Sequence, residues 1–244
     1  MKKLGRLFFA PLALVSSLIV PLPGTEAATI DLFDWGFNVN GTTYCSLGPC
    51  DQAGLDPQTL PGLFSININQ FDFVAGLGRL TITLQGSGVQ TFVAFFDHDI
   101  DRTVNGSFNE TGSTQGTPAP GQSWEIDEPG FSTGDIYTNF RQGTLDNGLG
   151  VPGTTFPEEV ALAIGFSVDL GRNGSETIIL NLSTQRPAGG FFLAQTDPDA
   201  SDPATLYVSR SQTTAIPEPA TSVLFSTGVL GVLWLGRRRL RRRA

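Results

Sequence analysis

The chain has 244 residues, 40% of them hydrophobic, and this length suits one well-packed domain with terminal extensions. The formal net charge of −8 is unevenly distributed, because basic residues concentrate at both ends and no lysine occurs in residues 29–212. Since an acidic surface repels the phosphates of nucleic acids, the composition excludes nucleic acid as a partner and favours cations, basic partners or simple solubility.

The first predicted element, residues 1–28, has the three parts of a secretory signal peptide. A basic start precedes an apolar run over residues 7–20, and small residues precede an expected cleavage after Ala27 or Ala28. The apolar run, about 14 residues long, is short for a membrane span, and prolines follow it directly. We therefore predict export with removal of this segment, rather than a permanent N-terminal anchor.

Two cysteines, Cys45 and Cys50, lie close together in the sequence YCSLGPC. An exported chain enters an oxidising compartment, and the spacing then favours a local disulfide that closes a small loop. A zinc or redox site would need further ligands or a C-x-x-C spacing, and the sequence has neither. We expect a disulfide.

From about Leu63 onward, hydrophobic residues alternate with polar or small ones, as in LFSININQFDF, RLTITLQ and VALAIGFSVDL. A period of two is typical of β-strands with one buried face, and no helical period appears outside the two termini. The pattern predicts an all-β ectodomain over residues 29–212, an antiparallel β-sandwich with a jelly roll as the alternative. Two segments rich in Gly, Pro and Thr, TGSTQGTPAPG and GTLDNGLGVPGTTFPEE, are expected to be long surface loops.

The most suggestive internal motif is FVAFFDHDIDR, in which Asp97, Asp99 and Asp101 occupy every second position. If the preceding strand continues, the three carboxylates project from one face. If the strand ends, the pattern can wrap a hard cation in a loop. Either arrangement concentrates negative charge that a bound Ca²⁺ would relieve.

This motif is not an EF-hand, because Arg102 and Phe108 stand where that loop needs a glycine and a bidentate glutamate. Two interpretations remain open. The fold could bring Asp127 and Asp135 close to the motif and complete a calcium site, with Ca²⁺ as the candidate cofactor. Alternatively, the acids form a solvated edge that discourages strand pairing.

Catalytic motifs are weak in this chain. The segment GFSTG contains Ser132 in a G-x-S-x-G pattern, but that nucleophile elbow requires a following helix and a later histidine, and the only histidine, His98, lies upstream. Paired carboxylates can support glycoside hydrolysis, although their separation cannot be read from the sequence. We therefore expect no enzyme activity and no catalytic residue, and a carboxylate-based hydrolase is the unfavoured alternative.

The C-terminal segment, residues 213–244, contains the sequence IPEPATSVLFSTGVLGVLWLGRRRLRRRA and has three parts: a linker (213–219), an apolar helix (220–236) and a basic tail (237–244). About sixteen apolar residues fall just below the usual length of a membrane span, and flanking arginines can extend it. The positive-inside rule keeps the tail in the cytoplasm and places the acidic domain across the membrane. The predicted membrane stop consists of Arg237, Arg238, Arg239, Arg241, Arg242 and Arg243.

Pro217, Glu218 and Pro219, followed by a short apolar helix and terminal arginines, resemble the PEP-CTERM sorting signal of Gram-negative bacteria. The same signal is also described as the C-terminal domain of ice-binding proteins, a label that implies no ice binding. The resemblance covers about residues 215–244. It implies cleavage near the motif by an exosortase, a membrane-embedded cysteine transpeptidase-like enzyme. It also implies passage through the inner membrane to the cell surface or the extracellular medium, and association with the polysaccharide of a biofilm matrix.

The stretches FDHDID and SWEIDEPGFSTGDIYTNF resemble parts of other exported proteins with this tail, a group with no activity to transfer. We therefore expect a non-enzymatic surface or matrix protein. The alternative from another functional class is a calcium-assisted carbohydrate-binding module, in which Trp124, Tyr137 and Phe140 would offer aromatic faces, although such residues more often lie in a core.

Overall fold

The computed structural model describes residues 28–106, 109–130, 133–150, 159–199 and 204–211. The predicted linker, transmembrane helix and basic tail lie outside these ranges, as does all but the last residue of the predicted signal peptide. Among the residues that the structure describes, no helix has the length and apolar character that a membrane span requires.

Strands dominate the described part of the chain, and three short helices connect or cover them. The helices are α1 (Leu60–Leu63), α2 (Arg102–Asn105) and α3 (Ile136–Gln142). The strands are β1 (Ile30–Val39), β2 (Thr42–Cys45), β3 (Ile66–Asp72), β4 (Leu77–Gly86), β5 (Val89–Ile100), β6 (Thr111–Gln115), β7 (Gln122–Asp127), β8 (Ala161–Asp169), β9 (Gly174–Ser183), β10 (Phe192–Asp197) and β11 (Ala204–Ser211).

These strands form two sheets, and each pairing between them is antiparallel. The first sheet has the order β2-β1-β5-β8-β7, so β5 is its central strand. The second sheet has the order β3-β4-β9-β11-β10-β6. The two sheets pack face to face over one hydrophobic core, with Phe37, Phe92 and Phe96 from the first sheet against Leu80 and Leu180 from the second. The predicted antiparallel β-sandwich is therefore confirmed.

The outer face of the first sheet is also covered. A second buried cluster forms where α3 packs on this face, with Ile136 and Phe140 from the helix against Val93, Phe95 and Ala163 from the sheet. Helix α3 ends at Gln142, and Gly143 caps it: its left-handed backbone (φ 72°) lets its N–H donate to the carbonyls of Asn139 and Phe140 in the last turn. Because of this cover, the middle of the first sheet is buried on both sides.

Three features differ from the sequence-based expectations. Helix α3 was not predicted, because seven residues with two buried side chains are too few to show a helical period. Strand β1 was missed, because its middle residues are buried on both faces and do not alternate. The segment TGSTQGTPAPG was expected to be a loop, which is wrong for its first half, since Thr111–Gln115 pairs with β10 as the edge strand β6.

Candidate functional site

The acidic motif lies at the end of the central strand β5. The strand continues to Ile100, so Asp97 and Asp99 share the outer face of the first sheet with Phe95. Asp101 leaves the strand with a left-handed backbone (φ 53°), and its Oδ1 accepts a hydrogen bond from the Thr29 backbone N–H at 2.6 Å. The three carboxylates therefore do not form one continuous row.

All three acids of the motif are buried: Asp97 is 2% exposed, and Asp99 and Asp101 are each 3% exposed. Their strand is also flanked on both sides, by β1 and β8. The interpretation of this motif as a solvated acidic edge is therefore wrong. Burying an ionised carboxylate reduces the stability of the fold, unless a partner of opposite charge or several hydrogen bonds replace the lost water.

Strand pairing places two further acids in line with Asp97. Asp34 on β1 lies directly opposite Asp97, Ala161 on β8 is its neighbour on the other side, and Asp127 on β7 pairs with Ala161. Residues paired across an antiparallel sheet point to the same face. Four neighbouring strands thus present three carboxylates and one small side chain along a single row, and sequence reasoning found Asp97 and Asp127 but missed Asp34.

Asp34 and Asp97 both line a pocket of about 240 Å³ on this face. Phe33 and Tyr137 contribute aromatic walls, and residues 47–49 of the loop closed by the cysteines form its rim. The predicted disulfide between Cys45 and Cys50 is confirmed, with a Cα separation of 6.2 Å. Because this bridge closes the rim loop on itself, it limits the conformations that the rim can adopt.

Asp34 is held in a defined position by the rim loop. Its Oδ1 accepts hydrogen bonds from the backbone N–H of Trp35 at 2.7 Å and of Leu47 at 3.2 Å, and from the hydroxyl of Ser46. Burial raises the pKa of Asp34, and these three hydrogen bonds partly oppose that rise. All three bonds go to Oδ1, so none of them occupies Oδ2.

Asp97 has a different environment. Its Oδ1 is buried and has no hydrogen-bond partner among the residues that the structure describes. Burial raises the pKa of Asp97 well above its usual range, and the neighbouring carboxylates of Glu159, Asp99, Asp34 and Glu128 raise it further. A buried carboxylate oxygen without a donor is rare in folded proteins and requires an explanation.

Glu110 is another buried acid near this end of the sandwich, and it is fully shielded from solvent. The backbone N–H of Ile100 donates to its Oε1 at 2.9 Å, and Gln195 Nε2 lies 2.5 Å from its Oε2. Burial raises the pKa of Glu110 to about 9, above the 4.5 of an unperturbed glutamate, while the two hydrogen bonds act in the opposite direction. Burial therefore favours the protonated form of this side chain at neutral pH.

At the β7 end of this row, Asp127 contacts Asp135, which belongs to a second acidic group on the same face. Asp127 Oδ2 accepts the Asp135 backbone N–H at 3.1 Å, and Asp135 lies with Glu125 and Asp146 in a group whose ligand atoms are all within 4.8 Å of one another. Asn139 donates to both oxygens of Glu125, whose pKa burial raises to about 7. The structure thus divides the five predicted calcium ligands among at least two local groups.

Positive charge is scarce around these acids. Within the described residues, the ion pairs are Arg102 with Asp99 at 2.9 Å and Arg210 with Glu176 at 3.0 Å, and none of these four residues lines the pocket. The buried acids are Asp34, Asp97, Asp99, Asp101, Glu110, Glu125, Glu128, Glu159 and Asp197. Because these buried carboxyl groups have few basic side chains near them, a bound cation or protonation of some of the carboxyls is favoured.

The remaining candidates from the sequence have structural roles or fall outside the described ranges. His98 is fully buried on the inner face, its Nε2 lies 3.2 Å from the Gly76 carbonyl, and burial lowers its pKa to about 4. Its neutral ring packs between the sheets, as a core histidine would. Ser132, the Pro-Glu-Pro motif and the six terminal arginines lie outside the described residues.

The three aromatic side chains named for sugar binding have unequal exposure. Phe140, a residue of α3, is completely buried between the helix and the sheet and cannot present a face to a ligand. Trp124 and Tyr137 are half-buried. Trp124 packs against Phe191, with 5.8 Å between the ring centroids, and Tyr137 lines the acidic pocket.

Comparisons of the whole chain with protein-family models, with curated proteins and with solved structures found no match.

Proposed function

We propose that this chain is an exported, non-enzymatic surface or matrix protein of a Gram-negative bacterium, which an exosortase processes at its C-terminal tail. One observation carries the proposal: a signal-peptide pattern and a Pro-Glu-Pro, apolar helix and arginine pattern flank a single β-sandwich. The first pattern directs export, and the second arrests translocation with the sandwich outside the inner membrane.

The disulfide in the described domain supports the proposal that the protein is exported. A bridge between Cys45 and Cys50 persists in an oxidising compartment and would be reduced in the bacterial cytosol. The acidic composition of the domain also favours solubility outside the cell and disfavours binding to anionic lipid headgroups. Both properties suit a domain that is released from its membrane helix or passed on to the matrix.

The tail has a physical basis for recognition. Proline disfavours helix and restricts the residue before it, so Pro217 and Pro219 would favour an extended segment that a processing enzyme can reach. The apolar helix that follows would hold the motif at a constant distance from the membrane, since the arginines fix its cytoplasmic end. Cleavage near the motif would separate the β-sandwich from its anchor.

The test is a triple substitution, Pro217→Ala, Glu218→Ala and Pro219→Ala, in the full chain expressed in its host with an epitope tag in the ectodomain. We expect the wild-type protein to appear at the surface or in the medium with a mass that lacks the tail. The triple variant should instead accumulate uncleaved in the inner membrane fraction. Intact mass spectrometry locates both cleavage sites.

The matched control is the double variant Thr213→Ala and Thr214→Ala, which alters the same linker but leaves the motif intact. It should be processed like the wild type. Normal cleavage and display of the triple variant would show that the motif is not recognised, and the sorting proposal would then be wrong.

A second candidate function is calcium-assisted carbohydrate binding, favoured by the aromatic walls of the acidic pocket. Phe33 is 40% exposed beside Asp34 and Asp97, and Tyr137 lines the same pocket. Sugar rings pack on aromatic faces while a calcium ion binds their hydroxyl groups. Retention on matrix polysaccharide that disappears with a chelator and in a Phe33→Ala variant would support this function, and no retention in either condition would exclude it.

A further inference from the structure

We propose that the pocket beneath the Cys45–Cys50 loop is a calcium site, with Asp34 and Asp97 as its two carboxylate ligands. This assignment goes beyond the proposed sorting function and does not depend on it. The two proposed ligands also differ from the calcium ligands predicted from the sequence, because Asp34 on β1 was not among those.

The register of the first sheet brings the two ligands together. Asp34 and Asp97 are direct partners across β1 and β5, and both line the pocket. Residues opposite each other in an antiparallel pair have Cβ atoms about 4.5–5.5 Å apart. Two carboxylates at this separation can each place an oxygen at the distance of about 2.3–2.6 Å that calcium requires.

Asp97 provides the observation that requires a ligand. The side chain is 2% exposed and lines the pocket, yet its Oδ1 has no hydrogen-bond donor within the described ranges of the chain. Leaving such an atom unpaired carries the full cost of its desolvation. A cation in the pocket would remove that cost, and at the same time it would offset the mutual repulsion of two adjacent carboxylates.

Asp34 is positioned for the same role. The three donors on its Oδ1, two of them from the rim loop, orient the carboxylate and leave Oδ2 outside these bonds. The disulfide restricts the loop that supplies the donors from Ser46 and Leu47. A ligand that is oriented before the ion arrives loses little conformational entropy on binding, so the arrangement favours affinity.

The chemistry of the pocket favours a hard cation, and its volume suits calcium. The side chains that offer ligand atoms here are the two carboxylates and the Tyr137 hydroxyl, which lies 3.3 Å from Cys50 Sγ. His98 faces the inner core, and both cysteines are engaged in the disulfide. Hard oxygen ligands suit calcium or magnesium rather than a transition metal. The pocket volume, about 240 Å³, leaves space for the waters and carbonyl oxygens that complete the six to eight ligands of calcium.

The other acidic group on this face, Glu125, Asp135 and Asp146, has no buried carboxylate oxygen without a hydrogen-bond partner that would compare with Asp97 Oδ1. Glu125 is its buried member, and both of its oxygens already accept hydrogen bonds from Asn139. Asp135 and Asp146 are exposed, and water can solvate them. Glu125 therefore serves as a control rather than as a ligand.

The experiment compares melting temperatures in EDTA and in calcium for the full chain, purified after export from its host. At a calcium concentration about 100-fold above Kd, we expect the melting temperature of the wild-type protein to rise by about 5–10 °C. Asp34→Asn and Asp97→Asn should abolish this rise. The matched controls Asp99→Asn, on the same face of the same strand, and Glu125→Gln should retain it.

Two results would overturn the assignment. One is the absence of a calcium-dependent rise in the wild-type protein, which would mean that protons rather than a cation satisfy the two acids. The other is a normal rise in Asp97→Asn, which would place the ion elsewhere. Isothermal titration calorimetry gives a second measurement, and it should show that Asp97→Asn binds one calcium ion fewer per chain than Asp99→Asn.

Loss of folding in the key variant can be separated from loss of binding. Asparagine has the shape of aspartate but carries no charge, so Asp97→Asn in EDTA should be at least as stable as the wild-type protein. A much lower melting temperature of this variant in EDTA would show that Asp97 already has a stabilising partner without calcium, and the proposal would fail.

Discussion

Replacing Glu110 with glutamine tests whether this buried carboxyl is held in its protonated form. In the folded protein burial raises its pKa to about 9, against 4.5 for the free side chain. Between these two values the folded chain keeps a proton that the unfolded chain releases. This contribution to stability is therefore complete below the lower value, and it is lost as the pH rises toward the higher one.

The magnitude follows from this difference. A group that is protonated when folded and ionised when unfolded changes the free energy of unfolding by about 1.4 kcal/mol per pH unit. Between about pH 5 and about pH 7, the wild-type protein should therefore lose at most about 2.7 kcal/mol through Glu110 alone. Burial also raises the pKa of Asp97 and Glu125, so these two groups should add to the loss of stability as the pH rises.

The assay is urea-induced unfolding of the protein purified from its host, at about pH 5, 6 and 7, followed by circular dichroism in the presence of chelator. The Glu110→Gln variant should lose up to about 2.7 kcal/mol less stability over this range than the wild type, because glutamine has no proton to release. Glu176→Gln is the control, since Glu176 forms an ion pair with Arg210 near the surface of the second sheet. An equal pH dependence in the wild type and in Glu110→Gln would refute the reasoning.

Two further substitutions test packing. Gly76→Ala should destabilise the fold by more than about 2 kcal/mol, because an added Cβ would lie 2.1 Å from His98 Nε2 at a residue with positive φ. The control Gly41→Ala also has a positive φ but has open space around the added Cβ, so it should cost only about 1 kcal/mol. Phe140→Ala should cost about 3–5 kcal/mol by leaving a cavity under α3, whereas Phe33→Ala, at an exposed position, should cost less than about 1 kcal/mol. Urea-induced unfolding measures both pairs, and equal losses within a pair would contradict the packing described.

Strand prediction from sequence succeeded where one face of a strand contacts the core and the other face contacts solvent. Strand β4 has this character, with Leu80, Ile82 and Leu84 buried between more exposed residues. It failed for β1, because a helix distant in sequence covers the outer face of that strand, where the Phe140 ring of α3 lies against Gly36. It also failed for α3, whose two buried side chains, Ile136 and Phe140, are too few to establish a period.

The candidate site could be predicted only in part. The acid spacing around Asp97 is visible in the sequence, and so is the disulfide that closes the rim loop. Asp34 gives no comparable signal, because a single aspartate in an apolar stretch has no pattern of its own. Its role depends on the register between β1 and β5, which includes a shift between Leu32 and Asp34 that no local rule specifies.

Sequence by itself determined the properties that depend on local composition: the disulfide, the alternation of most strands and the acidic character of the domain. The export and sorting signals at the two termini stay predictions from the sequence. Tertiary structure alone decided which acids are neighbours and which are buried. The physical reason is that cross-strand pairing joins residues far apart in the chain, as it joins Asp34 to Asp97. Burial likewise depends on whichever element covers a face, here α3 and the disulfide loop.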